Sequence, residues 1–171
     1  GGEAADYEWL AARGIDVRGR IVLVRERDRG SYSYRGLKVL TAQQHGAAGI
    51  LMFPDPERLG AERVPAYPQG PAGPPSRIER GGIAYDFVVP GDPLTPGWAS
   101  LPGARRVPRA EAPSLPTIMS VPLSATDGRT LLQSLEGPAA PGWWDAGPPQ
   151  RVGPGPAPVR LKVRMDDRSR P

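Results

Sequence analysis

The stretch Gly14-Ile15-Asp16-Val17-Arg18-Gly19-Arg20-Ile21-Val22-Leu23-Val24-Arg25 decides how the first half of the chain folds. Ile21 to Val24 is a run of four apolar, mostly β-branched residues, the pattern of a strand buried on both faces. Gly36 to His45 reads as a helix stopped by Gly46, and Ala47 to Phe53 as a second buried strand ended by Pro54. A strand, a helix and a strand in this order predict a parallel pair joined by a right-handed crossover. Toward the N-terminus, Asp6 reads as the cap of a short helix carrying Tyr7, Leu10 and Ala11, with Gly14 as its stop. Downstream, Ile83 to Val89 predicts another strand, Thr117 to Leu123 an extended segment shaped by Pro116 and Pro122, and Val159 to Met165 a final strand. The clearest helix signal begins at Ser124. Asp127 follows three residues later as in a capping box, Leu131, Leu132 and Leu135 recur at helical spacing, and Gly137 ends the run.

Composition restricts what such a core can do. The chain has 171 residues, one His and no Cys, so neither a Cys/His zinc site nor a disulfide framework can be assembled from it. Its 22 Gly and 23 Pro reach the level at which disorder must be considered. They gather between residues 54 and 116 and between 137 and 158, away from the apolar runs, which fits a packed core joined by long stiff loops. The net charge of +4 is built almost wholly on arginine, the two lysines being Lys38 and Lys162. Acidic residues are interspersed throughout, and the densest basic group, Arg105, Arg106 and Arg109, lacks interleaved aromatic residues. That is a poor footprint for nucleic acid and reads as solvated loop. No run approaches the ~20 apolar residues of a membrane span, and Gly1 to Leu10 does not resemble a signal peptide. A start at Gly1-Gly2 without Met suggests a mature or excised piece.

Few residues carry chemistry on their own. His45, the single imidazole, falls at a helix end, where a cation complements the macrodipole, and reads as a capping or surface residue. No Gly-x-Ser-x-Gly element, phosphate-binding glycine loop or His-Glu-x-x-His helix is present. Asp166 and Asp167 read as a solvated tail. Trp143 and Trp144 read as packing or interface residues.

The ordered segments together resemble a known family. Gly14 to Arg25, Tyr34-Arg35-Gly36-Leu37-Lys38-Val39 with Ala42, and Gly46-Ala47-Ala48-Gly49-Ile50-Leu51 with Asp55-Pro56 look like a protease-associated domain. Tyr67-Pro68-Gln69-Gly70-Pro71, Glu79-Arg80-Gly81, Gly91-Asp92-Pro93-Leu94-Thr95-Pro96-Gly97, Leu115-Pro116, Pro122-Leu123-Ser124 and Gly153-Pro154-Gly155 narrow the resemblance. They are similar to the subgroup inserted in glutamate carboxypeptidase II and transferrin-receptor-like proteins. The resemblance implies a mixed α/β (α+β) domain over residues 1–171, with a β-sandwich-like pair of small sheets, flanking short helices, and long Pro/Gly-rich loops at 54–80 and 90–116.

In that family the domain is a lid over a co-catalytic two-zinc peptidase site whose ligands lie in the peptidase domain of the same parent chain. The resemblance therefore implies no catalytic residue here. It implies a role as the non-catalytic substrate-gating part of a zinc exopeptidase, extracellular, periplasmic or membrane-anchored, in a parent that can be homodimeric. Arg35 matches the position whose guanidinium meets the C-terminal carboxylate of the peptide substrate, a task suited to a planar five-donor fork. Thr95 and Trp98 match oxygen donors of a calcium site at the seam with the peptidase domain, Trp98 through its main-chain carbonyl. Calcium takes about 6 to 8 oxygens, so these two residues are only part of a shell. Gly82 stands where the carboxypeptidase branch has an Asn that holds a glutamate side chain, which implies loss of strict glutamate preference. The alternative is an interaction and assembly module of a catalytically inactive, transferrin-receptor-like protein.

Overall fold

The computed structural model describes residues 1–26, 34–54, 64–140, 150–156 and 158–164. Helix α1 spans Ala4–Ala11. Strand β1 spans Ile21–Glu26, helix α2 Arg35–Gln44, strand β2 Gly49–Pro54, strand β3 Met119–Pro122 and helix α3 Ala125–Gln133, with a 3-10 turn at Arg109–Glu111. The three strands form one parallel sheet in the order β1-β2-β3. Ile21 pairs with Gly49 and Val24 with Met52, while Gly49 and Met52 pair on their other side with Met119 and Pro122.

The central position falls to β2 because Gly49-Ile50-Leu51-Met52-Phe53-Pro54 is apolar throughout and can be covered on both faces; every residue in it is buried. Alternation along the strand then separates the layers. Ile50 and Met52 join Val39 and Ala42 of α2, Tyr7 of α1, Val24, Ala47 and Tyr85 in the main core. Phe53 faces the other way, against Gly128 of α3. The outcome is a mixed α/β domain with α2 and α3 on opposite faces of the sheet.

Local signals explain the helix ends. Ser124 Oγ accepts the Asp127 N–H at 3.0 Å, as the capping box predicts, and Gly46 ends α2 with φ +78°. At α1 the assignment shifts: the cap is Glu3, and Asp6 is the third helical residue, its carboxylate accepting the Glu3 N–H at 3.0 Å. Tyr7 stacks on His45, ring centroids 4.5 Å apart, tying α1 to the end of α2.

Two expected strands are absent from the described residues. Ile83 to Val89 forms an anchored turn instead. Tyr85 is 1% exposed, its N–H donates to the Ser114 carbonyl, and the Val88 N–H returns to Tyr85. Val159 to Arg164 lacks strand pairing. Val159 and Val163 point outward while Leu161 leans on the sheet at Gly49. In both runs the apolar pattern was present, but no neighbouring edge offered its hydrogen bonds. The single three-stranded sheet is likewise the only sheet among the described residues, so the second sheet implied by the resemblance is not seen in them. Met165, Asp166, Asp167, Trp143, Trp144, Asp55 and Pro56 lie outside the described residues.

Candidate functional site

The C-terminal end of a parallel sheet is where loops converge and ligand sites tend to form. Here β1 ends in Glu26, whose carboxylate is 5% exposed. A buried acid at the end of an apolar strand needs a partner, and Arg35, the first residue of α2, supplies it. Arg35 Nε and Nη2 donate to Glu26 Oε1 and Oε2 at 2.7 and 3.0 Å, a two-pronged pair. Nη2 also donates to Glu79 Oε2 at 3.1 Å. The guanidinium keeps 20% of its surface open to solvent.

Glycines bring the distant segments together. A Cβ at position 81 would stand 2.6 Å from Arg35 Nη1, and one at position 36 would stand 2.8 Å from the Ala84 carbonyl. Tyr34 closes the junction by donating its hydroxyl to that same carbonyl at 2.8 Å, with its ring edge-on to Phe87. Burial, aided by Asp86, raises the Tyr34 pKa above its ordinary value. The fold therefore joins Tyr34-Arg35-Gly36 to Glu79-Arg80-Gly81, two motifs 44 residues apart. Arg35, Arg77, Ile78, Glu79 and Arg80 line an open pocket of about 500 Å³. Arg77 and Arg80 are exposed. Among the described residues no side chain comes within 4 Å of a Cβ built at Gly82. A pocket of this kind suits a carboxylate-bearing ligand.

Thr95 and Trp98 do not line that pocket. They sit in a separate loop organised by Asp92. Asp92 Oδ1 accepts the Leu94 N–H, and Oδ2 accepts from Ser100 Oγ and from Arg106 Nη1 at 2.7 Å. Arg106, expected to be simply solvated, thus pins the far end of the loop, because an ionised carboxylate holding a turn gains from a second charged partner. These bonds, Ser100 first, then the Leu94 N–H and Arg106, lower the Asp92 pKa from 3.8 to about 2. A carboxyl depressed in the folded state contributes stability that is complete above pH 3.8 and is lost as pH falls through about 2. An NMR titration of the Asp92 carboxyl should have its midpoint near 2; an ordinary midpoint would mean that the loop is not held this way.

Within this loop Thr95 is 3% exposed, and its Oγ1 is enclosed with no hydrogen-bond partner among the described residues. Burying a hydroxyl without a partner is costly, and its oxygen has the hard-donor chemistry that calcium takes. Trp98 donates its indole N–H to the Arg105 carbonyl at 2.8 Å, under the Arg105 guanidinium. Among the described residues no group of three or more His, Cys, Asp or Glu could hold a metal by itself.

A family model of the PA domain matches residues 1–87. The chain belongs to the PA domain family. It is 36% identical over 80% of its length to an inactive zinc metalloprotease of Schizosaccharomyces pombe. It is 35% identical over 99% of its length to human transferrin receptor protein 2, and 32% identical over 98% to the mouse aminopeptidase NAALADL1. It covers 17%, 20% and 23% of those three proteins, so the chain spans about a fifth of the curated relatives it matches. Probable glutamate carboxypeptidases are similar to it as well.

The matched part of this PA domain contains α1, β1, α2, β2 and every residue lining the Arg35 pocket. Thr95, Trp98, β3 and α3 lie beyond it but within the span shared with the receptor and the aminopeptidase, both aligned over nearly the whole chain. Sequence reading singled out Arg35 as a candidate and did not anticipate its two carboxylate partners. Glu26 had a signal, an acid closing an apolar strand, whereas Glu79 becomes visible only once its loop is folded onto α2.

Proposed function

We propose that this PA domain is the non-catalytic, substrate-gating part of a zinc-dependent exopeptidase, and that Arg35 receives the C-terminal carboxylate of the peptide. The observation that carries this reading is the Arg35 guanidinium, held in a fixed plane in an open pocket that Arg77 and Arg80 also line. Zinc, supplied in this reading by a peptidase domain of the same parent protein, provides the hydrolytic chemistry. This chain has one His and no Cys, and its part is to bind and orient the peptide end. The open space at Gly82 supports a specificity broader than glutamate. In this reading the protein works outside the cytoplasm; among the described residues no helix is long and apolar enough to cross a membrane. The test is peptidase kinetics of the Arg35→Ala full-length protein on peptides with a free or amidated C-terminus.

The second reading, an interaction module in a parent without catalysis, is favoured by one feature: Glu26 and Glu79 already engage Nε and Nη2 of Arg35. The remainder of the parent sequence separates the two. A set of His, Asp, paired Glu, Asp and His zinc ligands there would support the peptidase, and its loss the module.

We also infer that Thr95 Oγ1 and the Trp98 carbonyl contribute to a calcium shell completed from outside this chain. That Thr95 Oγ1 has no hydrogen-bond partner among the described residues supports it. Calcium is then expected to raise the melting temperature of the full-length protein, and Thr95→Val to abolish that rise. If Thr95→Val instead stabilises the protein with or without calcium, the hydroxyl is simply unsatisfied and the site does not exist.

A further inference from the structure

Arg35 is reached by two carboxylates in different ways. Glu26 belongs to β1, is 5% exposed, and grips two nitrogens of the guanidinium. Glu79 belongs to a loop outside the regular elements, is 13% exposed, and meets Nη2 at 3.1 Å. It lines the pocket into which a ligand would enter. A side-chain carboxylate on that nitrogen, at that mouth, presents the same group that a peptide C-terminus would present.

We propose that Glu79 is a built-in competitor for Arg35: it occupies the guanidinium until a ligand carboxylate displaces it, and so sets the affinity of the site. The inference rests on Arg35 being the carboxylate receptor. Glu26 fixes the fork through its bidentate bond and remains in place. Glu79 lies between Arg77 and Arg80 in sequence, and both line the same pocket. A displaced Glu79 therefore stays among guanidinium groups, which lowers the cost of releasing it. The quantitative consequence follows from competition. If Glu79 holds Arg35 in about nine molecules of ten, the apparent affinity for an incoming carboxylate is reduced about tenfold. The site then favours ligands that add a second contact beyond the carboxylate and rejects free acetate-like anions.

The test is calorimetric titration of the full-length protein with an N-acetyl tripeptide whose last linkage is reduced and uncleavable, alongside its C-terminal amide. Glu79→Gln should tighten binding of the free-carboxylate peptide by about tenfold and leave the amide unchanged. Glu79→Ala, which leaves no amide to occupy Arg35, should give the same result and covers the case in which the Gln protein loses stability. Unchanged or weaker binding in folded Glu79 variants, with Arg35→Ala still weakening it, would overturn the competitor while leaving the receptor role of Arg35 intact. If Arg35→Ala also leaves binding unchanged, the receptor reading fails and the competitor with it. Equal tightening of the acid and the amide would overturn the inference too, since Glu79 would then be blocking the pocket sterically.

Discussion

Arg35→Ala in the full-length protein is expected to cost about 2 to 5 kcal/mol of transition-state or substrate binding, roughly a 30-fold to several-thousand-fold loss of kcat/KM on peptides with a free C-terminus. The magnitude comes from removing one side of a desolvated charge pair. Amidated peptides should lose little, because they lack the second charge. The same substitution also strips Glu26 of its partner. Breaking a buried pair costs about 3 to 5 kcal/mol of stability, and the upper end is discounted here because Arg35 is 20% exposed. Stability and recognition must therefore be separated. Combining Arg35→Met with Glu26→Gln removes both charges and should recover most of the melting temperature, with substrate binding still lost. Arg35→Lys should fail in an intermediate way, since an ammonium cannot span Glu26 Oε1 and Oε2 as the fork does. Unaltered kinetics in a folded Arg35→Ala protein would remove Arg35 from the site.

Gly128→Ala should destabilise the protein by about 2 to 4 kcal/mol, lowering its melting temperature by roughly 5 to 15 °C. The sign opposes local propensity. Gly128 lies inside α3, where Ala is ordinarily favoured by about 1 kcal/mol. A Cβ there would stand 2.2 Å from Phe53 Cγ and 2.5 Å from Phe53 Cβ. Rotating the ring cannot relieve the second contact, because Phe53 Cβ moves only with the backbone of the central strand. Phe53 is 3% exposed, so nothing behind it yields easily. A thermal melt in which Gly128→Ala equals or exceeds the wild type would show that α3 can shift away from the sheet.

The elements that sequence reading recovered are those whose signals are local. Ser124 with Asp127 marks a helix start whichever way the rest of the chain runs, and Gly46 ends α2 through its own backbone freedom. The run Ala47 to Phe53 is apolar enough to read as a buried strand, whereas its central place comes from pairing with β1 on one side and β3 on the other. Ile83 to Val89 and Val159 to Arg164 have equally good local patterns, but a strand is a relation between two segments, and neither pairs with a described strand. Asp6 moved by one turn for a similar reason. Both Glu3 and Asp6 can cap, and the choice depends on which carboxylate the chain before α1 leaves facing the Glu3 N–H.

What the sequence determined by itself was the parallel β-α-β unit, the helix at Ser124, the lack of a self-contained Cys/His metal site and, through ordered motifs, the PA domain family and the candidacy of Arg35. Those properties depend on residue type, short-range spacing or order along the chain. Only the tertiary structure decided that Arg35 is gripped by Glu26 and met by Glu79, that Gly81 packs close against its guanidinium, and that Thr95 buries a hydroxyl with no partner among the described residues. Each of these depends on where a segment tens of residues away comes to rest. That position is set by packing against the shared core around β2, and no local pattern encodes it.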